Sequence, residues 1–485
     1  MTNWTGMMAM SASLVLSTPM AVAWQDRAGP LADQPLQAAL AEATERLDEA
    51  GFDGHVSVAV NGEVVFAASL GPADPVSGVP YSLVTQTDIG SIAKMLTGLA
   101  ASRLIAEGRL DPQSTLSDWF SNVPADKRDI ALHQLMTHSA GFPPAIGDDH
   151  APIERDAFVE QALASELMFA PGEQYAYSNV GFSLIAAIIE QVTGEPYEQY
   201  LRDSVLAPLG LADTGYERAV APARGVRTQS GESVTDASWG GGRAHWHLIG
   251  NGGMLSTPLD LMILGSTVLN PPDDWAETFN VQVQPYLREG EGAQSYYGYG
   301  IVVENHPLYG EFFWHNGGNP HFSNHWRVLA DAQAVIFATS NSRGVDPDAA
   351  VEVLTAAVFG QQIEISAPPA IDFDSPIDLP DTPEGRLAQS FLAAIRSPQP
   401  ADWQSFITAR TSPAFQAFAP MEQHVEMFER MHADMADAQV FMFDPGPQEM
   451  RLIVGGADMP LLQLMIGFAP GADGPVMNGL AIDGI

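Results

Sequence analysis

Cysteine is absent from the 485-residue chain, which excludes disulfides, thiolate metal sites and lipid attachment through cysteine. Positive charge is scarce: 21 Lys and Arg stand against 59 Asp and Glu, for a net charge of −38. That balance argues against nucleic acid as a partner, because phosphate binding needs basic patches, and against docking on an anionic membrane surface. It describes an acidic, solvated shell that keeps the protein soluble. Long apolar runs are missing too, with one exception. Residues 7–23 are mostly apolar and end in Ala21-Val22-Ala23, a small-x-small cleavage signal. The residues before them carry no Lys or Arg, and Pro19 disfavours an uncleaved membrane helix. The expectation is a signal peptide over 1–23, a periplasmic or secreted protein, and no stable membrane anchor.

What remains is rich in core-forming residues: 46% are hydrophobic and 16% charged, a composition that buries a large interior. Residues 34–50 set Leu36, Leu40 and Leu47 at helical spacing, and two β-branched runs flank Asn61-Gly62, which predicts a hairpin. Residues 88–213 read as mainly helical, 214–253 as loops without clear periodicity, and "EFFWHN", "NHWRVLA" and "AVIFATSN" as three short strands before a helix over 348–358. A hairpin early and strands late predict one sheet with an inserted helical lobe, an α/β (α+β) class spanning residues 24–363. Residues 364–384 have the Pro and Asp density of a linker, and residues 385–485 read as a small α+β domain of three helices and about four strands.

Lysine is the rarest of the charged residues. The chain has two, Lys127 in a polar turn and Lys94 inside "TDIGSIAKMLTGLAA". From Ile89 to Ala101 the polar side chains are Ser91, Lys94 and Thr97, at three-residue steps on one side of an otherwise apolar helix. A helix that apolar is buried, and a buried ammonium with no partner loses its charge. Lys94 is therefore poised to accept a proton, and Ser91, in the first turn after Gly90, lies where helix amides favour developing negative charge. Together they describe an activated hydroxyl nucleophile. Ser-x-x-Lys alone is a weak pattern; the alternative is a capping serine with a snorkelling lysine. Further along, Tyr177-Ser178-Asn179 opens an apolar helix, with Asn179 readable as its N-cap, and His315-Asn316-Gly317-Gly318 ends a strand. Three nearby histidines (315, 321 and 325) lack the helix-borne pair of a zinc site, so no metal or cofactor is assigned. The second unit carries no motif.

The set "SIAK", "YSN" and "HNG", in that order, resembles the marks of the serine β-lactamase and penicillin-binding superfamily, specifically its class C-like branch with DD-peptidases, D-amino-acid peptidases and family VIII esterases. The resemblance runs over about residues 35–360 and extends to "IALHQLMTHSAGFP" and "GNGGMLSTPLDLMIL". It implies a mainly antiparallel sheet flanked by helices with an all-helical lobe. It implies Ser91 as the acylated nucleophile, Lys94 and Tyr177 as the acid/base pair, and the amides of Ser91 and Gly318 as the oxyanion hole. Asn179 would orient substrate and Lys94, while His315 and Gly317 would line the binding strand. One position departs from the pattern: β-lactamases of this branch usually carry lysine where this chain has His315. The implied function is a serine hydrolase acting on a small-molecule or peptide substrate, of esterase or D-amino-acid peptidase type. The alternatives are a β-lactamase and a non-enzymatic cell-wall or penicillin-binding protein. Natural substrate, oligomeric state and the role of residues 385–485 stay open.

Overall fold

The computed structural model describes residues 33–216, 224–290, 292–342, 345–363, 375–418, 420–446, 449–456, 459–471 and 474–484. The expected signal peptide over 1–23 and the first half of the expected linker lie outside these residues. The chain divides into two compact units, the first ending at Pro368 and the second beginning at Pro369.

In the first unit, helix α1 (Asp33–Glu49) buries Leu36, Leu40, Ala43 and Leu47, the stripe expected from their spacing. Strands β1 (His55–Val60) and β2 (Glu63–Ser69) form the hairpin, with Asn61 and Gly62 at φ of 51° and 82°, the left-handed pair that a tight two-residue turn requires. Helices α2 (Ala93–Ala106), α3 (Asn179–Thr193) and α4 (Pro258–Leu269) follow. Strands β3 (Leu287–Arg288), β4 (Ser295–Tyr297), β5 (Val302–His306), β6 (Gly310–Gly318), β7 (Ser323–Leu329) and β8 (Ala334–Ser340) then lead to α5 (Pro347–Val358). The eight strands make one sheet in the order β2-β1-β8-β7-β6-β5-β4-β3, every pairing antiparallel.

Alternation along the strands assigns the two faces. Val328 of β7 and Val335 of β8 meet α4 at Gly265, while Arg327 turns the other way to Thr355 and Glu352 of α5. β3, β4 and β5 were not among the expected strands; at two, three and five residues they carry too little alternation to read. Lys127, expected in a polar turn, does lie in a turn, but its side chain is buried and its amine pairs with Asp126 at 2.7 Å. No helix among the described residues is long and apolar enough to cross a membrane.

The second unit has helices α6 (Pro383–Arg396), α7 (Pro400–Arg410) and α8 (Met421–Met435), with a short helix at Pro413–Phe418. Strands β9 (Gln439–Pro445), β10 (Glu449–Gly456), β11 (Met459–Gly471) and β12 (Gly474–Gly484) form an antiparallel sheet in chain order. Phe391, Trp403, Phe406 and Phe428 from the helices pack with Leu452, Leu464 and Ile466 from the sheet as a separate core.

Candidate active site

A short helical turn, Gly90–Ile92, leads into α2 and carries Ser91. It is held from below by Asp88, a buried carboxylate that accepts the Gly90 N–H at 2.8 Å and the Asn319 side-chain amide at 2.8 Å. Asp88 thus ties the serine turn to the loop that follows β6. The two segments touch backbone to backbone. Gly90 sits at φ 51°, and a Cβ there would stand 2.2 Å from the Gly318 nitrogen; one on Gly317 would stand 2.6 Å from the Ser91 nitrogen. Glycine is required at both points. The result places the amides of Ser91 and Gly318 side by side, with Ser91 partly exposed and Gly318 exposed.

Lys94, one turn on, is fully buried. Its amine donates to Ser91 Oγ at 3.0 Å and to the Asn251 carbonyl at 2.7 Å, and it stands 4.7 Å from the centre of the Tyr177 ring. Burial drives its pKa well below the ordinary lysine value, opposed weakly by the negative charge of Asp149. Asp149 is exposed on one side, yet the protein crowding its flanks raises it to about 6. The Tyr177 phenol is raised by burial, while Ser91 pulls it back down. Ser91 is near enough for that effect but makes no hydrogen bond to it, and the buried hydroxyl has no partner among the described residues.

His315 of β6 is buried. Its Nδ1 hydrogen-bonds the Asn316 carbonyl at 2.5 Å, which fixes the ring proton on Nδ1, so Nε2 accepts from the Tyr297 hydroxyl at 2.9 Å. Burial, reinforced by Lys94, pushes its pKa down to about 3. His315 is a neutral group locked by a tyrosine, and it offers no cation. His325, on the opposite face of the strands, pairs with Asp348 at 2.6 Å, and His321 is exposed. Two arginines of the preceding loops, which could otherwise supply a cation, are already paired: Arg243 with Glu154 at 2.6 Å, and Arg227 with Asp74 at 3.5 Å and the Gly231 carbonyl.

Asn179 is the first residue of α3; Ser178, not Asn179, is the cap, its hydroxyl accepting the Gly181 N–H. The Asn179 side-chain oxygen is buried without a partner among the described residues, and neither hydrogen bond of Lys94 goes to it. The lysine is oriented instead by Asn251, to which no motif assigned a role. Asn251 belongs to a ribbon whose successive carbonyls each receive a side-chain donor. Ile249 takes Ser183 at 2.7 Å, Gly250 takes Thr97 at 2.6 Å, Asn251 takes Lys94, Gly252 takes Tyr216 at 3.0 Å and Gly253 takes Trp239 at 2.7 Å. Lys94 and Thr97, the polar stripe of α2, therefore face a main-chain surface. Asp88, Tyr297 and Asn251 are the site residues that sequence reasoning missed.

Comparison with known proteins matches the pattern of the family described as Beta-lactamase to residues 40–359. The chain is 30% identical over 193 residues to PbpX of Bacillus subtilis, covering 39% of this chain and 49% of that protein, so it spans about half the length of that relative. An octameric penicillin-binding protein homologue from Pyrococcus abyssi superposes with a TM-score of 0.59 over 93% of this chain and 98% of its own, at 16% identity. EstCE1, a hydrolase with promiscuous acyltransferase activity, gives a TM-score of 0.59 over 68% of this chain and 99% of its own, at 21% identity.

Proposed function

Given that the chain belongs to the Beta-lactamase family, whose members include penicillin-binding proteins, peptidases and esterases, we propose that it is a serine hydrolase working through an acyl-enzyme formed at Ser91. One observation carries the reading: the amine of a fully buried lysine, held below its normal pKa, lies 3.0 Å from the hydroxyl of a partly exposed serine. A neutral amine accepts the hydroxyl proton at working pH, which a normal lysine does not.

Ser91 Oγ attacks the substrate carbonyl while its proton passes to Lys94 Nζ. The carbonyl oxygen becomes an oxyanion facing the Ser91 and Gly318 amides, donors already in place before charge develops. Collapse of the tetrahedral intermediate breaks the bond to the leaving group, which takes the proton back with Tyr177 as the relay. Water then repeats the cycle against the ester of Ser91 and releases the acid. The buried, unfilled Asn179 oxygen is available to a substrate N–H or O–H.

Within this class, an ester or D-amino-acid peptide outranks a β-lactam as substrate. The position where β-lactamases of the class C-like branch offer an ammonium to the substrate carboxylate holds a neutral His315 bonded to Tyr297. Short neutral esters need no such cation. Export to the periplasm or beyond remains the proposed location, on the strength of residues 1–23.

The test is labelling with a fluorophosphonate, followed by peptide mass spectrometry, together with kinetics on p-nitrophenyl butyrate and nitrocefin. The adduct should map to Ser91, and Ser91→Ala should lose both adduct and more than about a thousandfold of ester turnover. An adduct elsewhere, or an active Ser91→Ala enzyme, overturns the nucleophile. A wild-type preference for nitrocefin by kcat/KM moves the assignment to β-lactamase.

A further inference from the structure

His138 is not glycine, yet its φ is 56°, a left-handed backbone that costs energy for any residue with a side chain and persists only where surrounding contacts impose it. It is buried in a cage of rings, with centroids 4.2 Å from Tyr177, 4.6 Å from Tyr297, 5.1 Å from Phe182 and 5.8 Å from Tyr175.

Its polar atoms grip the chain on both sides of Tyr177. The His138 carbonyl accepts the Ala176 N–H at 2.9 Å, and its Nδ1 accepts the Ser178 N–H at 3.0 Å. Ser178 is pinned in turn by its own hydroxyl, which donates to the Pro143 carbonyl at 2.7 Å. With residues 176 and 178 both fixed, the backbone of residue 177 has little freedom, and the imidazole face closes one side of its ring. The left-handed turn is what lets one residue present its carbonyl and its ring nitrogen to two amides two residues apart.

The hydrogen bond from Ser178 also settles the proton. Nδ1 is an acceptor, so the neutral ring carries its hydrogen on Nε2, which is buried with no partner among the described residues. Burial, Lys94 and His315 all disfavour a second proton. A ring in that state neither gives nor takes a proton during turnover.

We propose that His138 is a positioning residue that sets the Tyr177 phenol over Lys94 and Ser91, a role that rests on Tyr177 being the proton relay of the hydrolase proposed above. The experiment is acylation by ethyl butyrate, whose ethoxide leaving group needs a proton to depart, followed by rapid-quench release of ethanol, with KM and the pH profile of kcat/KM, on a set of variants. His138→Ala removes the acceptor. His138→Asn keeps a carbonyl near the place of Nδ1 and is among the side chains best tolerated in left-handed backbone. The alanine variant should acylate roughly 100-fold slower, the order expected when a reacting group is misplaced by about 1 Å, with KM nearly unchanged and the basic-group limb of the profile displaced. The asparagine variant should recover most of the rate and the profile. Should His138→Ala fail to fold, His138→Gln replaces it: its carbonyl reaches one methylene too far and should stay slow while folded.

Combination with Tyr177→Phe separates the positioning role from the hydrolase itself. In that background His138→Ala should cost less than about threefold further, because the group it places is gone. A full additional loss there overturns the positioning role while leaving the hydrolase intact. An unaltered acylation rate in Tyr177→Phe alone overturns the relay, and the role of His138 with it. Equal losses in folded His138→Asn and His138→Ala overturn the grip through Nδ1.

Discussion

Lys94→Met separates what the buried lysine costs the fold from what it does for the reaction. The side chain is fully buried and its pKa is well below the ordinary value, which is about 10.4 in an unfolded chain. Between the two values the unfolded state binds a proton that the folded state does not, so stability rises with pH, by about 1.4 kcal/mol per unit. Methionine has nearly the same shape and no proton to bind. Relative to the wild type, the variant should gain about 1.4 kcal/mol for each unit that pH is lowered from 10.4, down to the folded-state pKa of Lys94. A second effect opposes this and does not vary with pH. Methionine leaves the Asn251 carbonyl without the donor that stood 2.7 Å away, and a buried acceptor so stripped costs about 1–3 kcal/mol. The variant should therefore be the less stable protein at pH 10, and the curves should cross about one to two units below 10.4. Urea unfolding of both proteins at pH 7, 8, 9 and 10, followed by circular dichroism, reads the difference directly, since shared groups cancel. A difference that stays flat over that range means that folded Lys94 remains charged, and the argument for it as a proton acceptor fails.

Acid should destabilise the protein before ordinary carboxylates titrate. Burial lowers His315 to about 3 and His55 to about 4, and holds His138 well below 6.5, so below pH 6.5 the unfolded state binds protons that the folded state refuses and stability is lost as pH falls. Asp149, Asp346, Asp88 and Glu289, all raised from the usual carboxylate range by burial, act in the opposite sense, so the loss of stability between pH 6.5 and 5 in urea titrations should be smaller than the neutral histidines alone would give; an unchanged midpoint would contradict the neutral-histidine assignments. Gly90→Ala should lower the thermal midpoint by several degrees and also cut the ester kcat, because a Cβ at φ 51° meets the Gly318 nitrogen at 2.2 Å. A melting curve within a degree of wild type would show that the serine turn and β6 are not in the contact described.

The parts of the site that were legible from sequence share one property: the signal lies in the residue type itself. Ser91 and Lys94 stood out because a rare charge sat among apolar residues, and the hairpin because Asn-Gly reports a backbone angle. Lys127 misled for the converse reason; three residues of polar context hid the burial of its stem. Tyr297, which holds His315, lies in a strand of three residues, too short for periodicity to register. Asp88 acts from two residues before the helical turn, a position that reads as an ordinary cap. Asn179 was expected to orient Lys94, yet the amine turns to Asn251, because the helical register of α2 points Lys94 and Thr97 together at one stretch of backbone. No residue type encodes a carbonyl, so no pattern could have announced it.

That stretch, residues 249–253, has a consequence for how the protein tolerates change. Its acceptors belong to the main chain, so substituting its side chains cannot delete them; the donors Ser183, Thr97, Lys94, Tyr216 and Trp239 hold all the replaceable halves of those bonds. A mutational scan along the ribbon itself would register shape and strain, and would touch the polar seam only at Asn251, whose side-chain amide donates to Ser183 Oγ and the His247 carbonyl, both at 2.7 Å. The same scan of the five donors would find sites far apart in sequence failing alike. Since all five converge on neighbouring peptide groups, loss of a donor as distant as Trp239 changes the footing of the carbonyl on which the lysine amine rests.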